Sequence, residues 1–242
     1  MPGNDLTPFE LTGRAMTHVV TLHDPPCTLH ADVVEPFLRL RAAAASDGIE
    51  LMPVSTFRDF ARQLGIWNAK CRGERELYDR AGVPLDYASL GEEEVVTAIL
   101  HWSALPGASR HHWGTEIDVI DAKTAEPGRA PRLLPEEYAA GGRFAHLERW
   151  LAANLDRFGF HRPYASDRGG VQPEPWHLSH TATAAAALAR FTPDLLQQAL
   201  DGVELGGAAI VRGRLPEIFE RYVLNVDPPP VGASVSPGTR LS

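Results

Sequence analysis

Cysteine is scarce in this chain. Cys27 and Cys71 are the only two in 242 residues, so there is no disulfide framework; one bridge is the most they could form, and free thiols are the expectation. Dense runs of Lys or Arg are absent too, and the net charge is -8. That argues against nucleic acid or an anionic membrane as the main partner. No stretch is long and apolar enough to span a bilayer. Met1 to Thr21 holds prolines, Asp5, Glu10 and Arg14 where a secretory leader would have an apolar run. A cytoplasmic location is therefore expected, although a chain whose leader had been removed would read the same and would be periplasmic. Internal repeats are absent as well.

What is present is an ordinary globular composition, 44% hydrophobic and 22% charged, in a length that suits one large domain with a sizeable core. Residues 1–27 read as an irregular N-terminal arm, with a strand at His18 to Leu22. Residues 28–227 read as the domain proper. From residue 228 to 242, Pro, Gly and Ser dominate, which predicts a disordered tail. Asp32 and Glu35 form a capping box that opens a helix ending at Gly48. Ile49 to Ser55 is β-like, and Asp59 to Leu77 mostly helical with a break near Gly65. Glu92 to Ser103 is a helix with three acids in its first turn. Thr115 to Asp121 alternates as a strand, Phe144 to Phe158 is an amphipathic helix, and Glu174 to Leu178 is a short strand. Helices follow at Thr181 to Arg190, Pro193 to Leu200 and Leu215 to Tyr222. Helices and short strands mix without βαβ alternation. The fold class expected is α+β, a small antiparallel sheet with helices packed on one side.

Two segments concentrate the chemistry. Ser109-Arg-His-His-Trp-Gly-Thr-Glu-Ile-Asp118 offers a histidine and a carboxylate seven residues apart, and Glu174-Pro-Trp-His177 a carboxylate and a histidine three apart. Together His111, Asp118 and His177 supply two imidazoles and a carboxylate for a metal, with Glu174 left as a base beside a metal-bound water. A hydrolytic zinc site needs this set. Gly114 lets the loop turn back before the strand. On that strand Glu116, Asp118 and Ile120 share a face. His112 competes with His111 as a ligand, and His180 reads as a helix-start residue.

The pattern Ser109-x-His111-x-x-Gly114-x-x-x-Asp118, followed by Glu174-x-Trp176-His177, resembles the VanY-type zinc D-alanyl-D-alanine carboxypeptidases. Their peptidase group also includes D-Ala-D-Ala dipeptidases, phage endolysins and hedgehog-like domains. Ser55-Thr-Phe-Arg58 resembles that family's Ser-Gly-Tyr-Arg segment. The resemblance covers residues 30–190 and favours His111 over His112. It implies Zn2+ held by His111, Asp118 and His177, with Glu174 as catalytic base. It implies that Arg58 binds and polarises the substrate, that Ser109 lies near the substrate's terminal carboxylate, and that Gln63 matches a glutamine that follows the arginine. Trp176 matches an aromatic beside the last ligand, either packing or touching substrate.

Two positions depart from the family. Thr56 stands where a glycine is frequent, and Glu116 where an alanine is frequent two residues before the metal Asp. Glu116 is either a carboxylate at the rim of the site or behind its ligands, or a reader of a cationic substrate group, such as the side-chain amine of diaminopimelate. The resemblance implies peptidoglycan stem peptides as substrate and D-alanine as product. With a cytoplasmic location, L,D-carboxypeptidase action on tetrapeptides in cell-wall recycling is expected. D,D-carboxypeptidase and endolysin-type endopeptidase action remain alternatives, as does an inactive muropeptide-binding module.

Overall fold

The structure is a computed structural model that describes residues 5–125, 128 and 130–229. The N-terminal segment is more ordered than the arm expected from its sequence. It forms a short helix α1 (Pro8–Leu11) with Thr7 and Glu10 in a capping box, then a hairpin of β1 (Val19–His23) and β2 (Pro26–His30). Leu11 is buried, and its carbonyl accepts from the Trp113 indole at 3.1 Å. The segment therefore belongs to the core of the domain rather than hanging from it. The tail expected from residue 228 lies, from residue 230 on, outside the described residues.

Helix α2 (Ala31–Ser46) follows directly, and its N-cap is His30, whose ring accepts from the Asp32 amide at 3.1 Å. The cap of α2 thus lies two residues before the expected Asp32–Glu35 capping box, because the β2 strand ends on His30. After α2 come β3 (Leu51–Ser55), α3 (Phe60–Cys71), α4 (Glu92–Trp102), β4 (Glu116–Asp121), α5 (Pro135–Tyr138) and α6 (Ala145–Asn154). Helix α3 runs through Gly65 without the expected break. The remaining elements are β5 (Phe160–His161), β6 (His177–His180), α7 (Thr181–Arg190), α8 (Pro193–Leu200), α9 (Ala208–Gly213) and α10 (Leu215–Ile218). The strand expected at Glu174 to Leu178 starts instead at His177, since Glu174 occupies a turn.

Four strands form one antiparallel sheet in the order β3-β4-β6-β5. Its two faces have different chemistry because side chains alternate along each strand. Ile117, Val119, Leu51 and Leu178 pack with Phe37 and Leu40 of α2 and Leu147 and Leu151 of α6 in one apolar cluster. Glu116, Asp118, His177 and Ser179 occupy the alternate positions, and all four are buried. A second cluster, mostly helical, joins Trp67, Val96, Ile99, Trp113, Leu196 and Phe219. The α+β class and the small antiparallel sheets are as expected. Among the described residues no helix is long and apolar enough to cross a membrane.

Candidate active site

The polar face of the sheet gathers three side chains that sequence reading had brought together. Donor atoms of His111, Asp118 and His177 all lie within 4.8 Å of one another. Register explains two of them: Asp118 on β4 is the direct partner of His177 on β6. His111 arrives from a 3-10 turn, Arg110–Trp113, that ends on Gly114. Gly114 has φ 68°, and a Cβ there would sit 2.7 Å from the His30 backbone nitrogen. The turn thus needs glycine on both counts.

Each imidazole is held by the nitrogen that faces away from the cluster. His111 Nδ1 lies 2.8 Å from the Thr56 carbonyl, which can only accept, so the proton sits on Nδ1 and Nε2 offers a lone pair. Nε2 is 3.3 Å from Asp118 Oδ2. His177 Nε2 lies 2.8 Å from Glu116 Oε2, and its Nδ1 lies 3.0 Å from Asp118 Oδ1. Despite that proximity, Asp118 Oδ1 is buried without a well-directed hydrogen bond. Two pinned imidazoles and an under-satisfied carboxylate, all facing one point, fit a divalent cation.

The electrostatics agree. Burial works to raise the Asp118 carboxyl, but His111 and His177 outweigh it and hold it well below the usual range. Burial pushes the His111 imidazole down, which favours the neutral form a ligand requires. For His177, burial opposes the cationic form, yet Asp118 and Glu116 prevail and push it up to about 10. Asp118 and Glu116 thus hold a proton on this ring where the ion would sit, and metal binding would displace the one on Nδ1.

Glu174 stands beside this cluster. Its amide donates to the Tyr164 carbonyl and its own carbonyl accepts from the His177 amide, a turn that places Glu174 Oε2 3.4 Å from His177 Nδ1. Burial pushes its carboxyl up to about 8, against the pull of His177, Arg58 and Lys70. A carboxylate poised near neutrality suits proton transfer in both directions. Arg58 is set by three contacts: its guanidinium donates to Gln63 Oε1 at 2.7 Å and Ser55 Oγ at 2.8 Å, and its amide donates to the His111 carbonyl at 3.1 Å.

A cleft of about 260 Å³ opens over these groups. Arg58, Ser109, His111, Asp118, Glu174, Trp176 and His177 all line it. Gln63 and Glu116 do not, and here the structure corrects the substrate-binding expectation. Gln63 is fully buried, accepts from Arg58 and donates to the Ala104 carbonyl at 2.7 Å, so it positions Arg58. Glu116 is fully buried behind His177 and cannot meet a substrate amine. Its carboxylate accepts from Ser179 and Thr115 and lies 3.1 Å from Arg110. Arg110 keeps it ionised: burial works to raise the Glu116 carboxyl, but Arg110, His177 and Ser179 hold it far below the ordinary range.

His112 is no ligand. Its Nδ1 bonds the Arg58 carbonyl and its Nε2 accepts from the Gly107 amide, so both nitrogens are engaged elsewhere. His180 bonds Thr183 at the start of α7. Thr56, the departure from glycine, accepts the Thr28 amide through its hydroxyl at 3.2 Å while its carbonyl holds His111. Sequence reading missed several cleft residues, namely Lys70, Arg75, Tyr78, Arg132 and Tyr164. None of them stands in a motif. Tyr164 packs its ring 5.1 Å from that of His177.

Two imidazoles, one aspartate and a neighbouring glutamate in an open cleft define a mononuclear metal-dependent hydrolase. Comparison with known proteins gives the family. The model for VanY, D-alanyl-D-alanine carboxypeptidase, matches residues 26–183, and the chain belongs to that family. The family is zinc-dependent, and the His111, Asp118 and His177 donor set fits that ion. A Haemophilus influenzae protein of uncharacterized function is 38% identical over 122 residues, 50% of this chain and 93% of that one. A D-alanyl-D-alanine carboxypeptidase of Enterococcus faecalis is 29% identical over 157 residues, 63% of this chain and 48% of that one, so the match spans about half of the enterococcal protein. Among solved structures, VanYB in complex with D-alanine-D-alanine aligns with a TM-score of 0.52 at 20% identity, covering 80% of this chain and 87% of that one. That likeness speaks for the fold.

Proposed function

We propose that this protein is a carboxypeptidase that releases C-terminal D-alanine from peptidoglycan stem peptides. The observation that carries this reading is the Arg58 guanidinium. It lines the cleft beside the cluster, is aimed by Gln63 and Ser55, and makes no ion pair among the described residues. A planar cationic fork left without an acid suits a free carboxylate or a developing oxyanion.

Zinc bound by His111, Asp118 and His177 would lower the pKa of a water toward about 7 and polarise the scissile carbonyl. Glu174 would serve as general base toward that water and as general acid toward the leaving amine. Arg58, with Ser109 beside it in the cleft, fixes the substrate's C-terminal end. Trp176 is almost wholly buried, with its ring 5.5 Å from that of Tyr138, and forms part of the apolar wall. Glu116 and Arg110 keep the His177 ring in one orientation from behind.

Compartment decides the bond within this class. In the cytoplasm, hydrolysis of recycled tetrapeptides by L,D-carboxypeptidase action is the compatible activity, because removing D-alanine from intact pentapeptide precursors would disrupt wall cross-linking. Outside the membrane, D,D-carboxypeptidase action would be compatible. Mass spectrometry of tri-, tetra- and pentapeptides incubated with the zinc-loaded enzyme tests both levels. Loss of one D-alanine supports the class, and the peptide that loses it identifies the bond. Cleavage only within longer cross-linked fragments would replace the reading with endopeptidase action. Binding without any cleavage would replace it with a muropeptide-binding module.

A further inference from the structure

The cleft has more positive charge than one terminal carboxylate can answer. Arg58, Lys70, Arg75 and Arg132 all line it. Arg132 is paired with Glu136. Lys70 Nζ donates to the Ser103 hydroxyl at 2.7 Å and, like Arg58 and Arg75, makes no ion pair among the described residues. Lys70 and Arg58 are half-buried, whereas Arg75 is exposed at the rim. These groups feel one another. Burial pushes the Lys70 ammonium down to about 8, Arg75 and Arg58 push the same way, and Glu174 opposes them.

The placement follows from the helix. Gln63 and Lys70 are seven residues apart on α3, about two turns, and so share a face. Gln63 holds Arg58 from that face, and Lys70 enters the same cleft two turns further along it. Arg75 follows in the loop after α3. Two carboxylates, Asp118 and Glu174, face three unpaired cations, and a divalent ion adds two further positive charges. A substrate's C-terminal carboxylate answers one of these. Cations partly withdrawn from water and left without a partner are costly, and a bound anion relieves that cost.

We infer that Lys70 and Arg75 form a second anion subsite, which binds a carboxylate of the substrate other than the one at its C-terminus. The enzyme thereby selects peptides with an acidic group upstream of the scissile bond. This rests on the carboxypeptidase reading for the direction in which the peptide lies.

The test uses synthetic peptides ending in D-alanine, identical except for a carboxylate or a carboxamide at each of three positions before the scissile bond. The zinc-loaded wild type should prefer the carboxylate at one position by about tenfold in kcat/KM, mostly through KM. Lys70→Met should bring that ratio close to one, Lys70→Arg should keep it, and Arg75→Gln should reduce it partway. A purely structural Lys70 would lower both members of a pair and leave their ratio intact. Should Lys70→Met not fold, Arg75→Gln and the loss of the wild-type preference at raised salt decide the matter. A wild-type ratio near one at every position, or a ratio unchanged in Lys70→Met, overturns the inference. If no peptide is cleaved, the carboxypeptidase reading fails separately. Calorimetric titration of the zinc-loaded protein with the same pairs then decides the subsite, and equal or absent binding overturns it.

Discussion

The floor of the cleft and its basic wall answer the same problem, charge held away from water, in opposite ways. On the floor, strands β4 and β6 bring each charged group to a partner: Arg110 to Glu116, Glu116 to His177, His177 to Asp118. Compensation within the protein allows complete burial. On the wall, Arg58 and Lys70 donate to hydroxyls and an amide, Arg75 is exposed, and none of the three makes an ion pair among the described residues. The floor is therefore built to be rigid before anything binds, and the wall to be completed by what binds.

Substitutions of the groups closest to the reaction should have the largest effects. Glu174→Ala should retain zinc and lose turnover by about a thousandfold, as expected for removal of a general base; metal analysis alongside a peptide assay reports both. Arg58→Ala should cost about a hundredfold in kcat/KM, with zinc content unchanged. If Arg58→Ala lost zinc as well, wall and floor would not be separable.

Glu116→Gln tests the support behind the floor. It should weaken zinc affinity by about tenfold or more, the usual cost of removing a group that orients a ligating histidine. Chelator competition measures this directly. Unchanged affinity would reduce Glu116 to packing. Gly114→Ala acts on the backbone that delivers His111. With φ at 68° and a Cβ only 2.7 Å from the His30 nitrogen, it should destabilise the fold by about 2 kcal/mol. Denaturant titration would show it.

The smallest effect is that of pH on Lys70. Burial, with Arg75 and Arg58 alongside, pushes the Lys70 ammonium down to about 8, and kcat/KM reports the free enzyme. The preference for a carboxylate over a carboxamide substrate should therefore fall as pH rises from 7 to 9, by a few-fold. Taking the ratio cancels the titration of Glu174. In Lys70→Met the ratio should not change with pH.

The contrast also explains what sequence reading could and could not find. His111, Asp118, His177, Glu174 and Arg58 stand in spaced motifs, because an ion and a scissile bond impose distances that translate into spacing. The alternation of β4 put Glu116 on the same face as Asp118 but could not say that β6 closes over it. Only the pairing of Glu116 with Ser179 and Asp118 with His177 makes Glu116 a support instead of a rim residue. Lys70 and Arg75 had no signal at all, since a basic residue near a helix end reads as an ordinary solvated charge. The strand expected at His18 to Leu22 is β1, but its hairpin partner was missed because Pro25 and Pro26 look like interruptions; the chain places them at the turn and at the first position of β2. The helix at Ala208–Gly213 was hidden behind Gly206 and Gly207.

One measurement bears most directly on convergence of His111, Asp118 and His177 on a single ion beside Glu174. Protein stripped by a chelator is titrated with Zn2+ while D-alanine release from a stem peptide is followed. Activity should return linearly and level off at one equivalent per chain, and His177→Ala should show neither tight uptake nor recovery. Release that survives stripping, or a folded protein that takes up no zinc, would contradict the account.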